Sequence, residues 1–150
     1  PHKRRQMVEK RARKFEGIAS QIAAPELEGP ADADVTLIGW GSSYGVIREA
    51  VELLNDEGVS ANHLAIKWIV PFHADAISGI LGGCKRTIIV ENNFSGQFAR
   101  YMRSETGFSA DGHIRKYDGE PFMPHHVVNG VMEHMAGNIG IYVPYQEVVT

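Results

Sequence analysis

Three glycines, Gly39, Gly41 and Gly45, follow the apolar run 35–38 in "VTLIGWGSSYGVIREA" (residues 35–50) at a loosened G-x-G-x-x-x-G spacing. Where a strand meets a helix, such glycines let backbone approach a phosphate while the helix N-terminus offers N–H donors and a positive dipole. Gly41, Ser42, Ser43 and Gly45 are therefore candidate phosphate-cradling residues. A dinucleotide site also needs an acid at the end of the next strand for the ribose hydroxyl. Here that strand runs into "KWIVPFH", with no Asp or Glu before Asp75, which is expected to lie in the following helix. The fingerprint lacks its second half. On the structural reading, Gly41 makes the turn, Ser42 or Ser43 caps the helix, and Gly45 lets the helix pack closely on the sheet.

"IIVENNFSGQ" places Glu91 at a strand end and Asn92, Asn93 and Ser95 before a helix. A carboxylate there could act as a general base or ribose ligand. The structural reading uses the cluster to satisfy the turn and the free N–H groups of the helix, with Ser95 as N-cap. The paired asparagines are similar to the end of a thiamine diphosphate motif, but the Gly-Asp-Gly that should precede them is missing. "ADGH" and "YDGE" do not supply it, and both come later in the chain. His126 and His134 stand two helical turns apart, about 12 Å at roughly 1.5 Å per residue, too far for one zinc. Cys84 in "GGCKR" could be a nucleophile activated by Lys85 and Arg86, or a small apolar residue before a central strand. No G-x-S-x-G elbow occurs.

The elements that must position these residues alternate. Strands are expected at 35–39, 63–69, 87–91 and 113–117, and helices near 44–57, 73–82, 96–106 and 125–136. The strands are short, Val/Ile-rich and nearly continuous in apolar character, as in parallel strands covered on both faces. Repeated strand–helix units predict a three-layer α/β/α fold with a mostly parallel sheet and right-handed crossovers. Ligands and partners of such sheets meet the carboxyl ends of the strands. Those ends are "GWGSSYG", "VPFH", "ENNFSGQ" and "YDGEPF". Trp40, Ser43, Tyr44, Phe72, Glu91, Asn92, Asn93, Gln97 and Asp118 in or beside these loops are the candidate interface residues.

The 150 residues are 43% hydrophobic, enough for one domain burying on the order of two-thirds of its unfolded surface. A lone cysteine excludes an internal disulfide, a zinc finger or an iron–sulfur cluster held by this chain, and fits a reducing cytoplasm. No apolar run reaches the roughly 18 residues of a membrane span, and the charged start lacks a signal peptide's apolar stretch. The net charge of −3 hides an asymmetry: seven Lys/Arg and one Glu before Phe15 give that segment +6 and leave −9 for the rest. A basic arm could bind nucleic acid. Met7, Phe15, Ile18 and Ile22, however, recur at helical spacing and predict an amphipathic helix with a solvated basic face. "APELEGPADAD" then reads as a linker. Residues 1–31 are thus expected to be helix and linker, and 32–150 the α/β domain. Pro1 in place of Met leads to the expectation of a cut point in a longer chain.

"KRRQMVEKRARKFEG", "ADADVTLIGWGSSYGVIREAVELLNDEG", "IIVENNFSGQFARYMRSETG" and "IRKYDGEPFMP" together resemble the C-terminal part of the alpha subunit of 2-oxoacid:ferredoxin oxidoreductases, particularly the 2-oxoglutarate type. The resemblance spans Lys3 to Pro124. It implies the fold of the transketolase C-terminal domain. It also implies a complete complex that oxidatively decarboxylates a 2-oxoacid with coenzyme A to the acyl-CoA and passes electrons to ferredoxin. Thiamine diphosphate, magnesium and an iron–sulfur cluster would belong to that complex, with thiamine diphosphate mainly against the beta subunit and an earlier domain of the alpha chain. This chain would be a noncatalytic packing and assembly domain, inactive alone and binding no cofactor or metal. Its partners would be the beta subunit and the other domains of its own chain, with no nucleic acid and no membrane. The tail "HMAGNIGIYVPYQEVVT" matches nothing in this pattern; Tyr142 to Tyr145 are expected to be an edge strand or a segment docking on a neighbour.

Two readings compete with assembly. One is a free-standing nucleotide- or coenzyme A-binding domain using Gly41, Ser42, Ser43 and Gly45. The other is a nucleic-acid-binding arm over residues 3–14, which predicts steep salt dependence of binding.

Overall fold

The computed structural model describes residues 1–138 and 140–145. Five helices, α1 (His2–Ala19), α2 (Tyr44–Asp56), α3 (Ala74–Leu81), α4 (Gln97–Thr106) and α5 (Pro124–Met135), accompany six strands. The strands are β1 (Leu27–Glu28), β2 (Val35–Trp40), β3 (Ala61–Ile66), β4 (Thr87–Glu91), β5 (Gly112–Arg115) and β6 (Gly140–Tyr142). They form one sheet in the order β1-β3-β2-β4-β5-β6. All neighbours are parallel except β1, which lies antiparallel to β3 with Leu27 opposite Leu64. The α/β architecture expected from the alternation is the one observed.

Each face of the sheet is covered by two helices whose apolar spacing matches the cover. Ile47, Ala50, Val51 and Leu54 of α2 repeat at i, i+3, i+4 and i+7 and pack with Val127, Val128 and Val131 of α5 on Val35, Leu37, Ile88, Val90 and Ile114. On the other face Ile77 and Leu81 of α3 and Phe98 and Met102 of α4 cover Ile38, Leu64, Ile66 and Ile89. Burying each such Leu, Ile, Val, Phe or Met side chain is worth about 1.5–3 kcal/mol. Both halves of the core are therefore completed within the chain.

Four local expectations are corrected. The close helix–sheet approach falls at Gly39, where a Cβ would lie 2.1 Å from Ile47 Cδ1, while Gly45 has open space around it. Gly41 does make the turn, at φ +60°, a left-handed conformation that costs glycine little. Ser43 occupies the N-cap position of α2 without capping it; its hydroxyl instead accepts from the Trp40 N–H (3.1 Å) and donates to the Trp40 carbonyl (2.8 Å). Ser95 is likewise not the cap of α4, as shown below. Residues 27–28, read as linker, join the sheet as β1, because Asn62 Nδ2 donates to the Pro30 carbonyl (2.7 Å) and Tyr44 ties Glu28 down. Helix α1 forms but buries no residue, so the apolar side of Met7, Phe15 and Ile18 has no partner among the described residues. In "VNGVMEHM" the core-facing residues are the valines, with Met132 and Met135 exposed. The edge strand β6 lies earlier than expected, at Gly140–Tyr142, so that of 142–145 only Tyr142 is in a strand; residues 146–150 of the tail lie outside the described residues.

Candidate functional site

The sheet reverses its winding between β2 and β4, since β3 lies on one side of β2 and β4 on the other. The crevice outside the carboxyl ends at such a reversal is where ligands of open α/β sheets bind. Here the Trp40 ring stands 5.8 Å from that of Phe98. Phe72 packs edge-on to Phe98 and Tyr101, and Tyr101 donates to the Ile69 carbonyl (2.7 Å). Aromatic side chains from the end of β2, the loop after β3 and α4 thus occupy the crevice.

Glu91, Asn93 and Lys116 of this edge serve the fold itself. Glu91 is 1% exposed, and its carboxylate accepts from Asn93 Nδ2 (2.8 Å), the Phe98 N–H (2.8 Å) and the Ala99 N–H (3.0 Å). Asn93 Oδ1 accepts from the N–H groups of Gly96 (2.7 Å) and Gln97 (3.1 Å). Glu91 and Asn93 therefore cap α4, a negative charge at the positive end of its dipole. A carboxylate holding three donors is built into the fold rather than poised for a substrate proton, so neither the general-base reading nor surface contact fits Glu91.

Lys116, also 1% exposed, pairs with Asp118 and donates to the Glu120 carbonyl (3.2 Å). The Lys116 hydrogen bond holds the Asp118 carboxyl below the usual carboxylate range. Tyr44 donates to Glu28 (2.8 Å), and that carboxylate raises the phenol above its ordinary value. His63, buried beneath the Tyr44 ring at 5.5 Å between centroids, is held down to about 4 by burial.

Apolar side chains, by contrast, point outward. Trp40 (39% exposed) ends β2, and Trp68 (53%), Phe94 (71%) and Tyr117 (47%) belong to the loops after β3, β4 and β5, joined by exposed Val70 and Met123. Phe94 and Tyr117 stack edge-on at 5.0 Å, linking two of the loops. Of the residues singled out in the sequence, the structure brings Trp40, Phe72 and Tyr44 to this edge, with Asn92 and Gln97 exposed beside them. Ser43, Glu91, Asn93 and Asp118 serve the loops internally. Trp68, Phe94, Tyr117 and Met123 were missed; the signal available was an aromatic or methionine in a loop immediately after a buried strand.

Two clefts flank β3. One of about 360 Å³ is lined by Gly39, Trp40, Gly41, Tyr44 and Ala65–Lys67, with Lys67 as its charged group. The other, of about 320 Å³, lies between residues 23–28 and Ala65–Trp68. Among the described residues no cluster of three His, Cys, Asp or Glu is arranged for a metal ion. Nor, among them, is any helix long and apolar enough to cross a membrane.

A family model described as pyruvate:ferredoxin oxidoreductase core domain II matches residues 33–127. The chain is 36% identical over 134 residues to 2-oxoacid:ferredoxin oxidoreductase 2, subunit alpha, of Aeropyrum pernix, covering 87% of this chain and 21% of that protein. It is 29% identical over 134 residues to 2-oxoglutarate oxidoreductase subunit KorA of Mycobacterium tuberculosis, covering 89% of this chain and 20% of that one. It thus spans about a fifth of these curated relatives. Its fold superposes with a TM-score of 0.80 and 32% identity on a 2-oxoglutarate:ferredoxin oxidoreductase from Magnetococcus marinus, solved with 2-oxoglutarate, coenzyme A and succinyl-CoA bound. That match covers 90% of this chain and 24% of the other. A probable 2-oxoacid ferredoxin oxidoreductase alpha chain from Thermoplasma acidophilum matches with a TM-score of 0.54 at 31% identity, over 75% of this chain and 97% of that one.

Proposed function

This chain belongs to the pyruvate:ferredoxin oxidoreductase core domain II family, and on that premise we propose that it is a noncatalytic assembly domain of an alpha subunit. The carboxyl edge of its sheet would be the surface that meets the rest of the enzyme. The observation that carries this is the division of labour on that edge: Glu91 and Lys116 are buried and engaged, while Trp40, Trp68, Phe94 and Tyr117 at successive strand ends are exposed, Phe94 and Tyr117 in contact. Clustered exposed aromatics mark interaction sites, and aromatics dominate the energetics of interfaces.

The complete enzyme would oxidatively decarboxylate a 2-oxoacid, 2-oxoglutarate by the relatives' names, to its acyl-CoA and reduce ferredoxin. Thiamine diphosphate, magnesium and the iron–sulfur cluster would be held by other parts of the assembly, in the cytoplasm. This chain would hold none of them, because Glu91, Asn93, Lys116 and Asp118 at its strand ends are committed to its own loops. Its partners would be the thiamine-binding beta subunit and the remaining domains of the alpha chain, with residues 1–26 forming the connecting helix and linker and the domain proper beginning at β1. Binding of the chain to beta subunit or to the remaining alpha domains, weakened by Phe94→Asp, supports the reading; no association with either overturns it.

A second reading keeps a coenzyme A or nucleotide at the Gly41–Gly45 turn, favoured by the open cleft between Gly41, Tyr44 and Lys67. It predicts that coenzyme A raises the melting temperature of the isolated chain, since about a hundredfold excess over Kd adds about 2.7 kcal/mol. No shift leaves assembly alone.

A further inference from the structure

Helices α3 and α4 cover one face of the sheet only as far as β4 and the near side of β5. Ile114 points into the opposite core, so His113 and Arg115 stand on the face that α4 flanks. β6 continues this face with Ile141, which lies opposite His113 and is exposed. Gly96, at the N-cap of α4, is followed along the helix by Ala99/Arg100 and Arg103 at i+3/i+4 and i+7. Together these residues, with Ser109 and Ala110, line a cleft of about 190 Å³.

Its charged lining is all of one sign: Arg100, Arg103 and Arg115. Four basic side chains elsewhere are ion-paired, Arg5 with Glu9, Arg48 with Glu52, Lys85 with Asp34 and Lys116 with Asp118. Among the described residues, none of the three cleft arginines has a carboxylate within ion-pair distance. Arg115 donates one hydrogen bond, to the Phe94 carbonyl (3.3 Å), while its Nε and the neighbouring His113 Nδ1 are buried without a partner among the described residues. Gly96 keeps the guanidinium in place, since a Cβ there would lie 2.4 Å from an Arg115 terminal nitrogen.

Like charges brought together around a concavity, with donor groups left open, are arranged for an anion. A phosphate group carries about two negative charges and three acceptor oxygens that match guanidinium forks. The cleft is smaller than the roughly 300–1,000 Å³ of sites for drug-sized molecules. It suits one phosphate group and the nearest part of the molecule bearing it, rather than a peptide. We infer that Arg100, Arg103, Arg115, His113 and Ser109 form a binding site for a phosphate group, carried on a small ester or as the free ion. The inference does not rest on the assembly role.

The test is titration of the chain with inorganic phosphate and, separately, with phenyl phosphate at constant ionic strength, read from the backbone amide NMR shifts of Gly96, Ser109 and His113. Saturable shifts are expected, with Kd raised at least about tenfold in an Arg100→Gln/Arg103→Gln double variant, since each lost charged hydrogen bond is worth about 1.4 kcal/mol or more. Tighter binding of phenyl phosphate identifies an ester as the ligand; tighter binding of inorganic phosphate identifies the free ion. Both arginines are exposed and lie outside the two core clusters, so their loss leaves the fold intact, checked by circular dichroism. Shifts that follow ionic strength alone, or a double variant with unchanged affinity, overturn the site. So does capture of a hexaglutamate peptide without any response to phosphate.

Discussion

Replacing Glu91 by Gln keeps its shape and removes its charge at a site where the carboxylate accepts from Asn93 Nδ2, the Phe98 N–H and the Ala99 N–H. A net hydrogen bond to a charged group is worth about 1.5–3 kcal/mol and a neutral one about 0.5–1.5. The amide oxygen can retain two donors at the lower value, and the amide nitrogen then faces the third donor, which is left unsatisfied. The summed loss is about 4 kcal/mol, offset by some 1–2 kcal/mol because a charge is no longer buried. The expected net destabilisation is therefore about 2–3 kcal/mol. At roughly 2–4 °C per kcal/mol for a chain of this size, Tm should fall by about 5–10 °C. Thermal melts followed by circular dichroism measure the fall, and amide hydrogen exchange should show accelerated exchange at Phe98 and Ala99. A Glu91→Gln chain that melts within about 1 °C of the parent would refute the capping role and return Glu91 to the list of groups free for chemistry.

Three further outcomes follow from the same geometry. Gly39→Ala should cost about 1–3 kcal/mol by overpacking against Ile47, whereas Gly45→Ala, in an open helical position, should stabilise by up to about 1 kcal/mol; urea unfolding of the pair measures the contrast. Burial lowers the folded-state pKa of His63, flanked by Glu28 and Lys67, to about 4. The unfolded state thus binds more protons below about pH 6.5, and stability present above that pH is lost as pH falls toward 4, by on the order of 3 kcal/mol. The stability difference between the parent and His63→Phe, measured by denaturation across that window, should change accordingly; a constant difference contradicts it. Phe94→Asp, on an exposed side chain, should leave the stability of the isolated chain within about 0.5 kcal/mol while weakening partner binding by tenfold or more, measurable by sedimentation.

Much of the fold was legible because its central strands are buried on both faces. "VTLIG" and "TIIVE" are apolar runs too short for helices, and the helices between them repeat at 3.6 residues, so the elements lie within a few residues of expectation. β1 was illegible because two residues between prolines carry no periodicity; its pairing comes from the long-range hydrogen bonds of Asn62 and Tyr44. The cap of α4 was misassigned for a related reason. A local rule selects Ser95, but the donors are taken by Glu91, seven and eight residues away, and by Asn93. The glycine that admits α2 was hidden inside a strand, although a glycine among β-branched residues is itself a sign of close backbone approach. The carboxyl edge was singled out from the strand order, but alternation says nothing about loop side chains. Phe72 therefore turned out half-buried and Phe94 open.

The assembly role is tested most directly by hydrogen exchange on this chain, alone and with the beta subunit and the remaining alpha domains. Protection is expected at 40–44, 68–72, 92–95 and 117–123, the loops that carry Trp40, Trp68, Phe94 and Tyr117. Protection confined to the outer face of α2, or no protection anywhere, would contradict an apolar carboxyl edge as the docking surface.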